Sequence, residues 1–156
     1  MAIQQGQVAP DFSLFNTEKN KVSLADYKGK NLVILFFPLA FTGVCTTELC
    51  TVRDNLNVYT SLNADVVGIS VDSLFSLGKF KEEQQYNFPF LSDFNKETSQ
   101  AYGAFYDEFV LDMKGVARRA AFVVDKDGMV QYAEVLESAG DLPNFDAIKE
   151  ALSGLN

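Results

Sequence analysis

The run "NLVILFF", residues 31–37, constrains this chain most. Its apolar residues follow one another without alternation, so both faces of the extended segment must be covered, as in a central strand of a layered sheet. Pro38 comes directly after it, lacks a backbone N–H and ends the strand. From Thr42 the period changes. Cys45, Leu49, Val52, Leu56 and Tyr59 recur at steps of four, three, four and three, the inner stripe of a helix. A buried strand feeding an amphipathic helix is the opening unit of an α/β sheet.

The rest of the chain continues that alternation. "DFSLFN" and "KVSLADY" read as short opening strands around a turn at Glu18–Asn20, and "DVVGISV" (65–71) as a second buried strand. Ser73 is placed to cap a helix whose inner stripe is Leu74, Leu77 and Phe80. "FPFLSD" (88–93) is a short strand, and residues 96–102 form a short helix stopped by Gly103. "RAAFVVDKDGMVQYAEV" is a hairpin turning at residues 126–128, where Asp127–Gly128 sits between apolar runs. A last helix is expected to start near Pro143 and to bury Phe145, Ile148, Leu152 and Leu155. No repeat, low-complexity tract or linker interrupts the order, so one domain over 1–156 is expected. The fold class is α/β, thioredoxin-like, with a mixed central sheet flanked by helices and the hairpin at one side of otherwise parallel strands.

The composition narrows the chemistry. The chain contains no histidine, so no Ser–His–Asp or Cys–His triad can form and no imidazole can bind a metal. Its two cysteines, Cys45 and Cys50, are too few for a closed thiolate zinc site. No metal and no cofactor are expected. A net charge of −8 opposes binding to nucleic acid or anionic membranes. The longest apolar stretch, residues 32–41, is about half of what a membrane span needs and contains Pro38. The start, "MAIQQGQVAPDF", has neither a basic nor an apolar signal region, and the expected compartment is the cytoplasm. Thiols there are kept reduced, so a cysteine pair that does oxidise is transient, catalytic or sensing.

Both cysteines lie at the corner "PLAFTGVCTTELC", residues 38–50. With Thr42 at the N-cap, its hydroxyl can accept from the N–H of Cys45 in the first turn. Unpartnered N–H groups and the helix dipole favour an anion there, which supplies a thiolate without histidine. The spacing fits equally an ordinary capped helix with a small buried thiol.

The residue order goes further. Pro-x-x-x-Thr-x-x-Cys, here Pro38, Thr42 and Cys45, resembles the active-site signature of the peroxiredoxins. "GQVAPDFSL" (6–14), "DVVGISVDS" (65–73) and "RRAAFVVDKDG" (118–128) resemble further segments of that family in the same order, spanning nearly the whole chain. "CTTELCTVRDN" is similar to the bacterioferritin-comigratory (PrxQ) type, with its second cysteine five residues on, while "FTGVC" and Glu48 resemble the AhpE-like type. The resemblance implies a thiol-dependent peroxidase. Cys45 would attack a hydroperoxide and become a sulfenic acid, Thr42 would hydrogen-bond the peroxide or thiolate, and the Cys45 N–H with an arginine would stabilise the charge that develops. Its place three residues before Phe122 makes that arginine Arg119; alternation along a strand then turns Arg118 to the opposite face. Glu48 would orient the arginine, and Arg53 reads as a surface charge of the helix.

The resemblance further implies that Cys50 resolves the sulfenic acid as an intramolecular disulfide, with thioredoxin or a similar thiol as reductant; an external thiol acting on Cys45 alone is the alternative. The resembling types include monomers and homodimers. Phe36, Phe37, Leu39 and Phe41 could form an apolar mouth or belong to the core. A thioredoxin-like thiol–disulfide oxidoreductase would need Cys-x-x-Cys and a proline opposite it, whereas the spacing here is Cys-x₄-Cys and no proline falls between Pro89 and Pro143. A binding module with inert thiols is the remaining rival.

Overall fold

A computed structural model describes residues 2–155 of the chain. The first hairpin is formed by β1 (Ser13–Asn16) and β2 (Lys21–Ser23), its turn held by the Asn16 side chain, which accepts from the N–H groups of Glu18 and Asn20. The expected second strand is short, because "LADY" forms a 3₁₀ turn over Leu24–Tyr27. The apolar run becomes β3 (Asn31–Phe36), every residue of which is buried. It leads into α1 (Gly43–Asp54) and α2 (Leu56–Ser61). The predicted single helix is thus broken at Asn55, whose φ of −119° and ψ of 17° leave the helical basin and whose amide side chain instead bonds the Thr51 carbonyl. Next come β4 (Ala64–Ser70), α3 (Leu74–Gln84), β5 (Phe90–Ser92) and α4 (Glu97–Ala101). As expected, Ser73 caps α3 by accepting from the Ser76 N–H.

A small two-stranded sheet, β6 (Phe105–Tyr106) with β7 (Val116–Ala117), carries no signal in the sequence pattern. The late hairpin is β8 (Ala120–Val124) and β9 (Val130–Val135), and Asp125 ties its turn by accepting from the N–H groups of Asp127 and Met129. In α5 (Phe145–Ser153) the cap is Asn144, accepting from the Ala147 N–H. Pro143 therefore precedes the helix and does not occupy its first turn: an Asn side chain satisfies an orphan N–H, which proline cannot do.

The seven-stranded sheet has the order β2-β1-β5-β4-β3-β8-β9. β3, β4 and β5 run parallel, while β1 and β8 flank them antiparallel, so an antiparallel hairpin closes both edges and not one alone. Period-two alternation splits the core. Val33, Leu35, Phe37, Val66, Ala121 and Val123 face α1, α3 and α5, including Cys45, Leu49, Phe80 and Ile148. Leu32, Ile34, Phe36, Val67, Ile69 and Phe122 face the other side, with Tyr102 and Phe12. Burying Leu49 alone contributes about 1.5–3 kcal/mol to seating α1. Among the described residues no helix is long and apolar enough to cross a membrane.

Candidate active site

Parallel pairing of β3 with β4, in the register Phe36↔Ile69, brings the loops after both strands side by side at one end of the sheet. Pro38 is buried where β3 stops, and the Phe37 N–H still donates to the Ile69 carbonyl at 3.1 Å. The chain then turns through Phe41, whose φ of 68° lies in the left-handed region that an aromatic residue adopts only under constraint. Its ring stacks at 5.0 Å from Phe80 while staying about half exposed. Of the proposed apolar mouth, Phe36 and Phe37 are fully buried core, Leu39 is partly buried, and only Phe41 reaches the surface.

Thr42 is the N-cap of α1, but the expected hydrogen bond to the Cys45 N–H is not made. The hydroxyl donates to the Leu39 carbonyl at 2.8 Å, because the tight turn at Phe41 carries that carbonyl within reach. Among the described residues no side chain caps the start of α1, so the first-turn N–H groups stay without a capping partner.

Cys45, 1% exposed, faces inward from that first turn. Arg119 meets it from β8's leading edge. Alternation puts Arg119 on the same face as Ala121 and Val123, which is the α1 face, and turns Arg118 away to stack at 4.9 Å on the Tyr106 ring. The Arg119 Nη2 donates to Cys45 Sγ at 3.3 Å and to the Ala139 carbonyl at 3.0 Å, while Nη1 donates to Glu48 Oε1 at 2.6 Å. Glu48 lies one helical turn beyond Cys45 and is fully buried. Burial pushes its carboxyl up to about 7, against the lowering pull of Arg119. For Arg119 burial works against the charge, but Glu48 and Cys45 together outweigh it, and its pKa rises.

Cys50 lies in the same helix, partly buried and off the inward stripe. Its sulfur stands 3.7 Å from Gln84 Oε1 and 3.7 Å from the Tyr86 hydroxyl. Both thiols are free. Arg53 is more than a surface charge: it pairs with Asp54 at 2.9 Å and donates to the Gln84 carbonyl at 2.5 Å.

Cys45, Glu48 and Arg119 thus meet at one corner, Pro38 and Thr42 lie on the loop that feeds it, and Cys50 is on the flank of the same helix. The sequence pattern does not reveal Ala139, whose carbonyl helps hold the guanidinium, nor Asp72, whose carboxylate accepts from the Ala40 N–H at 2.8 Å. A polar residue just past the end of a buried strand parallel to the site strand is the one signal that could have drawn attention to Asp72.

An arginine-held thiol at the end of such a sheet defines a class, the thiol redox enzymes of thioredoxin-like fold. The AhpC/TSA family profile matches residues 5–133. A Mycobacterium tuberculosis protein bearing a peroxiredoxin name is 40% identical over 131 residues, 83% of each chain. The crystal structure of peroxidoxin BcpB from Mycobacterium tuberculosis superposes with a TM-score of 0.87 at 26% identity, covering 99% of both chains. Peroxiredoxin Q of Xanthomonas campestris gives 0.79 at 27% identity over 92% of this chain and 90% of that one. The chain belongs to the AhpC/TSA family and is a peroxiredoxin of the PrxQ/BCP type, a thiol-dependent peroxidase that reduces peroxide at the expense of a thiol reductant.

Proposed function

We propose that Cys45 is the reacting thiol and that Cys50 resolves it. The thiolate attacks the terminal oxygen of a hydroperoxide, the S–O bond forms as the O–O bond breaks, and water or an alcohol leaves once the departing oxygen is protonated. Cys45 is left as a sulfenic acid. The observation that carries this reading is the 3.3 Å contact of Arg119 Nη2 with Cys45 Sγ at the start of α1. A fixed cation and first-turn N–H groups there favour a thiolate and then stabilise the charge on the breaking O–O bond. Thr42 commits its proton to Leu39, which leaves its oxygen free to accept from the peroxide O–H. Pro38 offers no N–H to compete for the anion, and Glu48 holds the guanidinium toward the sulfur.

The Cys50 thiol then displaces hydroxide from the sulfenic acid, giving the Cys45–Cys50 disulfide and water. A dithiol protein of the thioredoxin kind returns both thiols in the cytoplasm. Neither nucleic acid nor a membrane enters the cycle. A second reading rests on one observation: both cysteines sit in one intact helix, which favours an external thiol attacking Cys45 directly.

Mass spectrometry after one equivalent of hydrogen peroxide separates the two. Loss of two hydrogens linking Cys45 to Cys50 is expected, whereas a stable gain of one oxygen on Cys45 would favour the one-cysteine cycle. Cys45→Ser should abolish peroxide reduction with the fold intact, since a serine hydroxyl is not ionised at neutral pH. Peroxide consumption at the wild-type rate would remove Cys45 from the role.

A further inference from the structure

We propose that Asp72 is a positioning residue for the peroxidase reaction, acting through the loop 37–42 that carries Thr42 and feeds Cys45. The reading rests on Cys45 as the reacting thiol and goes beyond it, because Asp72 belongs to a different strand and a different loop.

The loop leaving β3 contains a proline and a residue at positive φ, so it has few bonds of its own with which to hold its shape. Its backbone is tied to the neighbouring strand instead. At its base the Phe37 N–H reaches the Ile69 carbonyl. In its middle the Ala40 N–H donates to Asp72 Oδ2 at 2.8 Å, directly before the strained Phe41. A bond to a carboxylate is charge-assisted and fixes direction more firmly than a bond to a neutral acceptor.

Asp72 is itself braced. Oδ2 also accepts from Ser70 Oγ at 2.7 Å, the Asp72 N–H donates to that same Oγ at 3.2 Å, and the Asp72 carbonyl accepts from Ser92 Oγ at 2.6 Å. Ser70 is fully buried at the end of β4, and Ser92 ends β5. The carboxylate is therefore locked to two central strands before it takes hold of the loop. With Ala40 fixed, the turn at Phe41 places the Leu39 carbonyl where the Thr42 hydroxyl donates to it, which leaves the Thr42 oxygen as an acceptor toward substrate. Release of Ala40 frees Phe41 to leave the left-handed region, and Thr42 moves relative to Cys45.

A displacement of about 1 Å at a site of this kind can lower a rate on the order of 10²-fold. The test is a single-turnover, rapid-quench assay of residual hydrogen peroxide, which needs no fluorescent reporter in a chain without tryptophan. Asp72→Ala should slow the first turnover roughly 10- to 100-fold while still consuming one peroxide per chain. Asp72→Asn, which keeps an acceptor at the same reach, should recover the rate to within about threefold. A structural role alone would lower the amplitude, through a smaller folded fraction, and leave the rate of the remainder unchanged.

An unchanged rate in Asp72→Ala, a lost amplitude with normal rate, or an Asn variant as slow as the Ala variant would each overturn the proposal. If Asp72→Ala does not fold, Ser70→Ala takes its place: it leaves Asp72 present but unbraced, slower turnover is expected, and the wild-type rate would overturn the proposal. Cys45→Ser run alongside keeps the failures apart, because activity surviving there sinks the thiol assignment and not the anchoring of the loop.

Discussion

A guanidinium bonded to a thiol, a carboxylate and a carbonyl at once has its orientation fixed from three sides. Arg119→Met removes the cation and keeps much of the volume. Peroxide reduction should fall on the order of 10²–10³-fold, the usual cost of one lost donor at a charge-developing centre. Arg118→Met loses its stacking on Tyr106, about 0.5–1 kcal/mol, and should leave the rate within about twofold of wild type. Peroxide consumption and melting curves on the two variants check this, and equal rate losses would remove the distinction. The choice between these arginines rests on the family resemblance, and alternation along a strand, a local rule, then sends Arg118 to the other face. The Thr42 proton was not legible in the sequence, since its acceptor is set by the turn at Phe41. Asp72 was equally hidden: its partnership with Ala40 exists only after β3 and β4 have paired.

In α1 the geometry works against the bond that the proposed cycle requires. Five residues along an intact helix place two side chains about 140° apart, with Cα atoms about 8.7 Å from each other, and a disulfide needs less than about 7 Å. Part of the helix must therefore unwind. Its sequence makes this cheap in the first half, where the hydroxyls of Thr46 and Thr47 each bond back to the carbonyl four residues earlier, a pattern that weakens helices. The second half is clamped, because Arg53 donates to the Gln84 carbonyl and Asn87 donates to the Arg53 carbonyl. Cys50→Ser should oxidise normally once, lose thioredoxin-driven turnover, and convert Cys45 to sulfinic acid sooner under repeated peroxide. Arg53→Gln should loosen the clamp and speed disulfide formation by about two- to fivefold, the equivalent of one hydrogen bond of roughly 0.5–1 kcal/mol. A time course of the disulfide by mass spectrometry reads both, and a slower bond in Arg53→Gln would contradict the clamp. At this scale the apolar periods showed where elements lie, while their limits depended on single polar side chains: Asn55 breaks the long helix and Asn144, not Pro143, starts the last one. The β6–β7 pair is not legible in the sequence because strands of two residues have no period to read.

For the molecule as a whole, Glu48 links stability to pH. Its carboxyl titrates near 7 in the fold against 4.5 as a free group, with burial the main cause. The folded chain therefore keeps a proton that the unfolded chain releases, so this contribution is complete below about pH 4.5 and is lost as pH rises through about 7. The melting temperature of the wild type should fall across that window relative to Glu48→Gln, by several degrees for a linkage on the order of 1–3 kcal/mol. Parallel melting curves for the two proteins would refute this. The central parallel strands and the late hairpin could be read from the chain itself, whereas the order that places β1 beside β5 rests on long-range pairing that no window of sequence contains.

The pairing of β8 with β3 carries a kinetic consequence for refolding. β8 meets β3 in a single register, Phe36 opposite Ala120, and strand pleating admits no half measures: a slip of one residue would turn Arg119 outward and bring Arg118 to face the helix. A mispaired chain could bury nearly as much apolar surface and still have no cation at its thiol. Recovery of peroxidase activity after denaturation is then a register assay, expected to lag behind the return of secondary structure whenever the hairpin first docks out of step.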